Sequence, residues 1–142
     1  MPAQTAVVIG ATGMIGELLV NKLISDPDIT RVRLLVRRPI LFHESKIEVK
    51  LVNFDDPTDL EGNIGSGDSI FCCVGTTQSR VKGDKAAYRK VDFDIPVNVA
   101  KSGLKNGFQN FLLVSAVGAN SGSGNFYLKL KGETEDALKK LE

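Results

Sequence analysis

Three polar residues in the last third of the chain have the types and spacing of a proton-transfer site. Tyr127 and Lys131 stand four apart in Tyr127-Leu128-Lys129-Leu130-Lys131, so on a helix they share one face. An ammonium beside a phenol lowers the phenol's pKa and makes it a usable acid or base nearer neutrality. Ser115 lies twelve residues before Tyr127, at the end of an apolar run, where a hydroxyl can polarise a carbonyl. On its own, Tyr-x-x-x-Lys commonly marks a surface helix. Other elements must bring it to a substrate.

The chain's opening supplies such an element. Thr5-Ala6-Val7-Val8-Ile9 runs into Gly10-Ala11-Thr12-Gly13-Met14-Ile15-Gly16, a strand, a tight turn and a helix N-terminus. That arrangement sets a pyrophosphate on unpaired backbone N–H groups. Gly10 is expected to make the turn, Gly13 to let the backbone approach the phosphates, and Gly16 to let the helix pack closely on the sheet. Ala11, Thr12, Met14 and Ile15 complete the cradle. The spacing is G-x-x-G-x-x-G, which matches the dinucleotide fingerprint in mechanism rather than letter for letter.

Further residues fall at strand ends, where ligands bind in parallel sheets. The second strand ends in Val36-Arg37-Arg38-Pro39. An acid there selects a free ribose 2′-hydroxyl, whereas a guanidinium fork suits a 2′-phosphate. Arg37 foremost, with Arg38 beside it, therefore favours NADP(H), with NAD(H) as the alternative. Asn53 and Phe54 close the third strand, where an amide can pair with adenine and an aromatic ring can flank it. They read equally well as a polar strand end beside a core phenylalanine. The fourth strand ends in Val74-Gly75-Thr76-Thr77: Gly75 permits close approach, and Thr76, with Thr77 next to it, can bond a ribose or phosphate oxygen.

Strand-like runs alternate with helical patterns, which predicts an α/β fold: a doubly wound parallel sheet in three layers, forming one domain over residues 1–142. Strands are expected at 6–9, 31–36, 47–52, 69–74 and 110–115. The first helix, 14–25, should bury Ile15, Leu18, Leu19 and Leu23. A short helix follows Asp56-Pro57, and a long one runs over 85–106, with a kink or restart at Pro96 and a stop at Gly107. The last helix starts near Phe126 and continues to the chain's end, its charged stretch 129–142 read as a solvated face. No sixth strand can be drawn from the remaining residues, so a fragment or shortened product is expected, with the substrate-binding C-terminal portion absent.

Composition narrows the function. A net charge of +1 with 42% hydrophobic residues argues against a nucleic-acid or membrane-surface binder, and no apolar run is long enough to span a bilayer. Adjacent Cys72 and Cys73 read as buried thiols of a reducing compartment, taken here as cytoplasmic. His43 is the only histidine, so neither a His-based triad nor a metal cluster is expected. Asp92 reads as a structural residue near the start of the kinked helix.

The glycine loop, Arg37 and Tyr127-x-x-x-Lys131 together resemble the short-chain dehydrogenase/reductase superfamily. Within it, Phe71-Cys72-Cys73-Val74-Gly75-Thr76-Thr77, Tyr88-Arg89-Lys90-Val91-Asp92 and Asn125-Phe126-Tyr127-Leu128-Lys129-Leu130-Lys131-Gly132-Glu133 are similar to the atypical branch typified by the Tat-interactive protein. The resemblance covers the whole chain. It implies a Rossmann fold, NADPH binding and a Ser115–Tyr127–Lys131 site for hydride transfer to or from a small carbonyl or alcohol. Asn53 stands where the family commonly has an adenine-binding aspartate, and Ala116 where relatives often have a second hydroxyl. Two other readings use the same residues. One is a non-catalytic NADP(H)-sensing module that acts on a protein partner; the other is a nucleotide-sugar epimerase or dehydratase relative, which needs a sugar-binding lobe. The long helices offer a face for a homodimer.

Overall fold

Four consecutive residues of the first strand, Ala6-Val7-Val8-Ile9, are fully buried. A strand that is apolar on both faces belongs in the middle of a sheet covered on both sides. A computed structural model, which describes residues 4–74, 85–116 and 118–141, places it there. Strands β1 (Gln4–Ile9), β2 (Ile29–Val36), β3 (Ile47–Leu51), β4 (Ser69–Cys72) and β5 (Asn110–Leu113) form a parallel sheet in the order β3-β2-β1-β4-β5. Val8 pairs with Leu34 on one side and Phe71 on the other. The strand order reverses at β1, and the crevice at the carboxyl ends of β1 and β4 is the switch point of such folds.

Side chains alternate across the sheet and divide the core in two. Ala6, Val8, Val32 and Leu34 pack against Val20 and Leu23 of helix α1 (Met14–Ser25). Val7, Ile9, Leu35 and Ile70 meet Leu60 and Ile64 of α2 (Pro57–Ile64) and Ile95 and Val99 of α4 (Ile95–Lys105). The expected α/β architecture is therefore present. The strands expected to end at Val74 and Ser115 stop two residues sooner, although the ladder carries on through Cys73 N–H to Ile9 and Val114 N–H to Cys72, at 2.8 and 3.0 Å.

Helix α1 has the expected ends but a different buried stripe. Gly16, Val20 and Leu23 face inward, while Ile15 and Leu18 are 52% and 61% exposed. The cause is steric. A Cβ at position 16 would lie 2.0 Å from the Gly10 carbonyl oxygen, so only a glycine can face the loop there, and that contact sets the helix's rotation.

The long helix is broken as its proline requires. Helix α3 (Lys85–Arg89) passes into a π-helical turn, Lys90–Asp94, before α4 begins at Ile95-Pro96. Pro96 has no N–H to offer the Asp92 carbonyl one turn earlier. The Thr134 hydroxyl donates to that carbonyl at 2.9 Å, which ties the turn to helix α5 (Phe126–Lys139). Asn125 caps α5 by accepting from Leu128 N–H at 3.1 Å. The helix ends at Lys139 in a turn rather than continuing as expected. Among the described residues no helix is long and apolar enough to cross a membrane.

Arg33 fastens β2 to its surroundings. Its Nε donates to Glu48 of β3 at 2.7 Å, and its Nη1 donates to the carbonyls of Ile64 and Ser66 at 2.6 and 3.0 Å. The hydrogen bond from Arg33 holds the Glu48 carboxyl below the ordinary glutamate value. A carboxyl with a depressed folded pKa adds stability above its unfolded pKa and loses that contribution as pH falls through the folded value. Urea denaturation should therefore find Glu48→Gln less stable than the parent by about 1 kcal/mol near neutral pH. The gap should close as pH drops below about 4.5. An equal gap at acid and neutral pH would show that the pair is not ionic.

Candidate cofactor and proton-transfer site

The loop leaving β1 is built around two glycines that no other residue can replace. Gly10 has φ +83°, and a Cβ there would lie 2.7 Å from the backbone of Cys73 and Val74. The loop thus turns in a left-handed conformation against the end of β4. Gly16 packs on the loop itself at Gly10 and Ala11, not on the sheet as expected. Gly13 is different. It is the N-cap of α1 in extended backbone, and no side chain caps the helix. A Cβ there would meet only the Gly10 oxygen, at 3.6 Å. Ala11 is buried beneath, while Thr12, Gly13 and Met14 are exposed. An open helix N-terminus with no side chain over it fits a pyrophosphate.

A cavity of about 670 Å³ opens where β2 and β3 end, lined by Arg37, Val52, Asn53, Phe54, Lys90 and Val91 among others. The structure therefore brings Arg37, Asn53 and Phe54 together, as the adenosine-end reading requires. Arg38 is exposed and does not line this cavity. Phe54 is 8% exposed and packs in the core with Leu60 and Ile64, so it is mainly a core residue whose edge reaches the wall. The Asn53 side-chain oxygen accepts from Asp55 N–H at 3.0 Å in the turn that enters α2. Its acceptor is engaged locally, which leaves the NH₂ group as the part that can address a base. Lys90 and Asp55 pair at 3.0 Å on the exposed rim. Gly75, Thr76 and Thr77 lie outside the described residues.

Helix α5 carries Lys131 inward and leaves Tyr127 half-buried. Lys131 is 3% exposed, with its Nζ 5.6 Å from the centre of the Tyr127 ring and 3.8 Å from Asp92 Oδ2. Asp92, in the π-helical turn, is 1% exposed. Tyr88 of α3 sets its ring edge-on to both Tyr127 and Phe126, at 5.7 and 5.8 Å. Burial raises the Tyr127 phenol, and the Asp92 charge raises it further. Burial, then Asp92, then Tyr127 push Tyr88 up to about 12. The phenol thus stands above its ordinary value and not below it, as Lys131 led one to expect, because burial and the Asp92 charge set the direction. Cys72 is fully buried behind the pair, and burial pushes its thiol up to about 12. Cys73 is half-buried, and both thiols are free.

Ser115 is engaged by a residue that the sequence did not point to. Its hydroxyl donates to Glu135 Oε2 at 3.1 Å, in an apolar groove of about 450 Å³ between α4, β5 and α5. Leu113 lines the same groove, as expected two positions earlier on one side of a strand. The structure unites Tyr127 with Lys131 and ties Ser115 to Glu135, one turn beyond Lys131. Sequence reasoning assigned no chemistry to Asp92 or Glu135. The stretch read as a solvated face buries Leu130, Lys131, Gly132 and Thr134. The missed signal was Gly132 inside the helix: a Cβ there would lie 2.3 Å from the backbone of Asn120 and Ser121, so the loop after β5 lies directly on α5.

Residues 10–140 match the NAD(P)H-binding family. The chain belongs to that family. Among curated relatives of this NAD(P)H-binding domain, "Protein FMP52, mitochondrial" of Candida albicans is 33% identical over 138 residues, which is 94% of this chain and 60% of the relative. The rat protein HTATIP2 is 28% identical over 145 residues, covering all of this chain and 59% of that protein. The domain thus spans about 60% of the length of these relatives. Among solved structures, a nucleoside-diphosphate-sugar epimerase from Agrobacterium tumefaciens superposes with a TM-score of 0.79 at 16% identity, over 97% of this chain and 48% of that one. At that identity the likeness is one of fold. The expectation of a cytoplasmic protein is overturned, since the Candida albicans relative and further fungal ones are named mitochondrial. Free thiols distinguish reducing from oxidising compartments and do not distinguish cytosol from organelle.

The two loop glycines should respond differently to substitution. Gly10→Ala forces a side chain into left-handed backbone and into β4, and should cost roughly 1–3 kcal/mol in a denaturation midpoint. Gly13→Val should leave the circular dichroism spectrum and midpoint nearly unchanged while abolishing NAD(P)H binding by fluorescence titration. Retained binding in Gly13→Val would mean that the loop is only a turn.

Proposed function

We propose that this domain binds NADP(H) and serves an oxidoreductase of the atypical short-chain dehydrogenase/reductase type, acting on a small carbonyl or alcohol. The observation that carries this reading is the Tyr127–Lys131 pair on one face of α5, with the ammonium 5.6 Å from the centre of the ring. The Lys131 and Asp92 charges both act on the Cys72 thiol, and the backbone of Cys73 and Val74 is what Gly10 touches.

In this reading the α1 N-terminus holds the pyrophosphate, and the cavity beside Arg37 takes the adenosine end, with the guanidinium on its 2′-phosphate. The bound cofactor supplies a hydride equivalent to the carbonyl carbon. Tyr127 gives its phenolic proton to the carbonyl oxygen as negative charge develops there, and solvent returns the proton afterwards. Lys131, beside the ring, would offset negative charge on the phenol oxygen as its proton leaves. Ser115 takes part only by exchanging Glu135 for the substrate oxygen. That engagement of Ser115 favours a second reading, a non-catalytic module that senses NADP(H) and acts on a protein partner. Cofactor oxidation measured over a panel of small carbonyls separates the two.

Three outcomes are expected. NADPH should bind more tightly than NADH, and Arg37→Ala should weaken NADPH by about 1.5–3 kcal/mol, roughly ten- to a hundredfold, while leaving NADH nearly unchanged. Equal affinities in the parent would end the NADP(H) assignment. In a chain that turns over, Tyr127→Phe should lower the rate roughly 10²–10⁴-fold with little change in NADPH affinity. Carbonyl reduction unaltered by Tyr127→Phe would rule out the phenol as proton donor.

A further inference from the structure

The cavity at the ends of β2 and β3 presents an occupant mainly with hydrogen-bond donors. Asn53 lines it, and most of that residue's polar groups are already committed. Its side-chain oxygen accepts from Asp55 N–H at 3.0 Å, and its backbone carbonyl accepts from Asp56 N–H at 3.1 Å. Its own N–H donates to Asp59 Oδ2 at 2.7 Å. The first of these bonds fixes the orientation of the amide, because only the oxygen can accept from a backbone N–H. What Asn53 keeps for a ligand is its NH₂ group, a donor. Asp59, also in the wall, has its other oxygen on the Asn63 amide at 3.1 Å. Arg37 and Lys90 add cationic donors, while Val52, Ala87, Val91 and Ile95 supply apolar wall for a flat ring.

We propose that this subsite reads the acceptors of a purine and makes no use of the 6-amino group, so that the domain takes dinucleotides carrying hypoxanthine as readily as those carrying adenine. The inference rests on the reading of this cavity as the adenosine end. Adenine has acceptors at its ring nitrogens and donors only at the 6-amino group. An amide NH₂ can bond the acceptors and has nothing to offer the amino group. Hypoxanthine carries a carbonyl oxygen at the same ring position, a further acceptor for that NH₂. Discrimination in favour of the amino group requires a free acceptor facing it. Here the Asn53 carbonyl is held by Asp56, and the Asp59 oxygens are held by Asn53 and Asn63. The Asp55 carboxylate is engaged by Lys90 at 3.0 Å on the rim.

Binding is followed by the fluorescence of the reduced nicotinamide, which the change of base leaves untouched. NADPH and NADH are each titrated beside their hypoxanthine counterparts, so that the ratio within a pair is independent of any preference for the 2′-phosphate. In the parent protein the two members of a pair are expected to bind within about fivefold of each other, or in favour of hypoxanthine. Asn53→Asp keeps an oxygen for the Asp55 N–H and turns the outward amide nitrogen into a carboxylate oxygen. It should shift the ratio about tenfold toward adenine, with the circular dichroism spectrum unchanged. A parent that favours adenine by more than about fivefold would overturn the proposal, and loss of that preference in Asp55→Asn would then give the amino contact to Asp55. An Asn53→Asp ratio equal to the parent's would overturn it as well. Binding of neither member of either pair would overturn the cofactor reading and this inference with it, a result distinct from tight binding that selects the base.

Discussion

Close passage of backbone over backbone at the end of β1 governs how the rest of the domain is arranged. Gly10 rests against Cys73 and Val74, and Gly16 rests against Gly10 and Ala11, at separations that exclude any Cβ. These contacts fix the left-handed turn at Gly10 and the rotation of α1 about its axis. With that rotation, Val20 and Leu23 fall into the core while Ile15 and Leu18 turn outward. They also leave the helix N-terminus without a side-chain cap. The geometry that makes the helix pack and the geometry that opens it to an anion are one and the same.

A second constraint operates on the opposite face of the sheet. Pro96 cannot complete the hydrogen bond of a regular helix, so the chain widens into a π-helical turn that carries Asp92 inward. A carboxylate taken out of water needs a counter-charge, and removing one member of such a buried pair typically costs about 3–5 kcal/mol. Lys131 supplies that charge at 3.8 Å. Thr134 closes the arrangement from the next turn of the same helix. A structural break in one helix thereby places the counter-charge for a lysine on another.

The edge strand shows where the domain's burial thins out. Leu112 on β5 is 47% exposed, and the groove lined by its neighbours Phe111 and Leu113 holds the Ser115–Glu135 hydrogen bond. Polar groups partly buried at the edge of an apolar groove find a hydrogen-bond partner, and here each is the other's. Ser115 is thus the site residue whose partner in this structure differs most from its expected role.

Local physical chemistry determined much of this protein from the sequence. The doubly buried β1, the glycine loop, the bounds of α1 and the break at Pro96 all follow from propensities and hydrogen-bonding capacity within a few residues. So does the side-by-side placement of Tyr127 and Lys131, which is a matter of helical spacing alone. What lay beyond the sequence depends on contacts between residues far apart in it. Spacing favoured Ile15 and Leu18 as core, and only the approach of Gly16 to the loop turned them out. Spacing set an ammonium near a phenol, whereas its pairing with Asp92, 39 residues away, is a contact of the folded chain. Ser115 was legible as a strand-end hydroxyl, but its partner was settled by which turn of α5 passes over it. A periodic pattern encodes which side chains share a face; the charge or backbone that meets that face is a property of the folded chain.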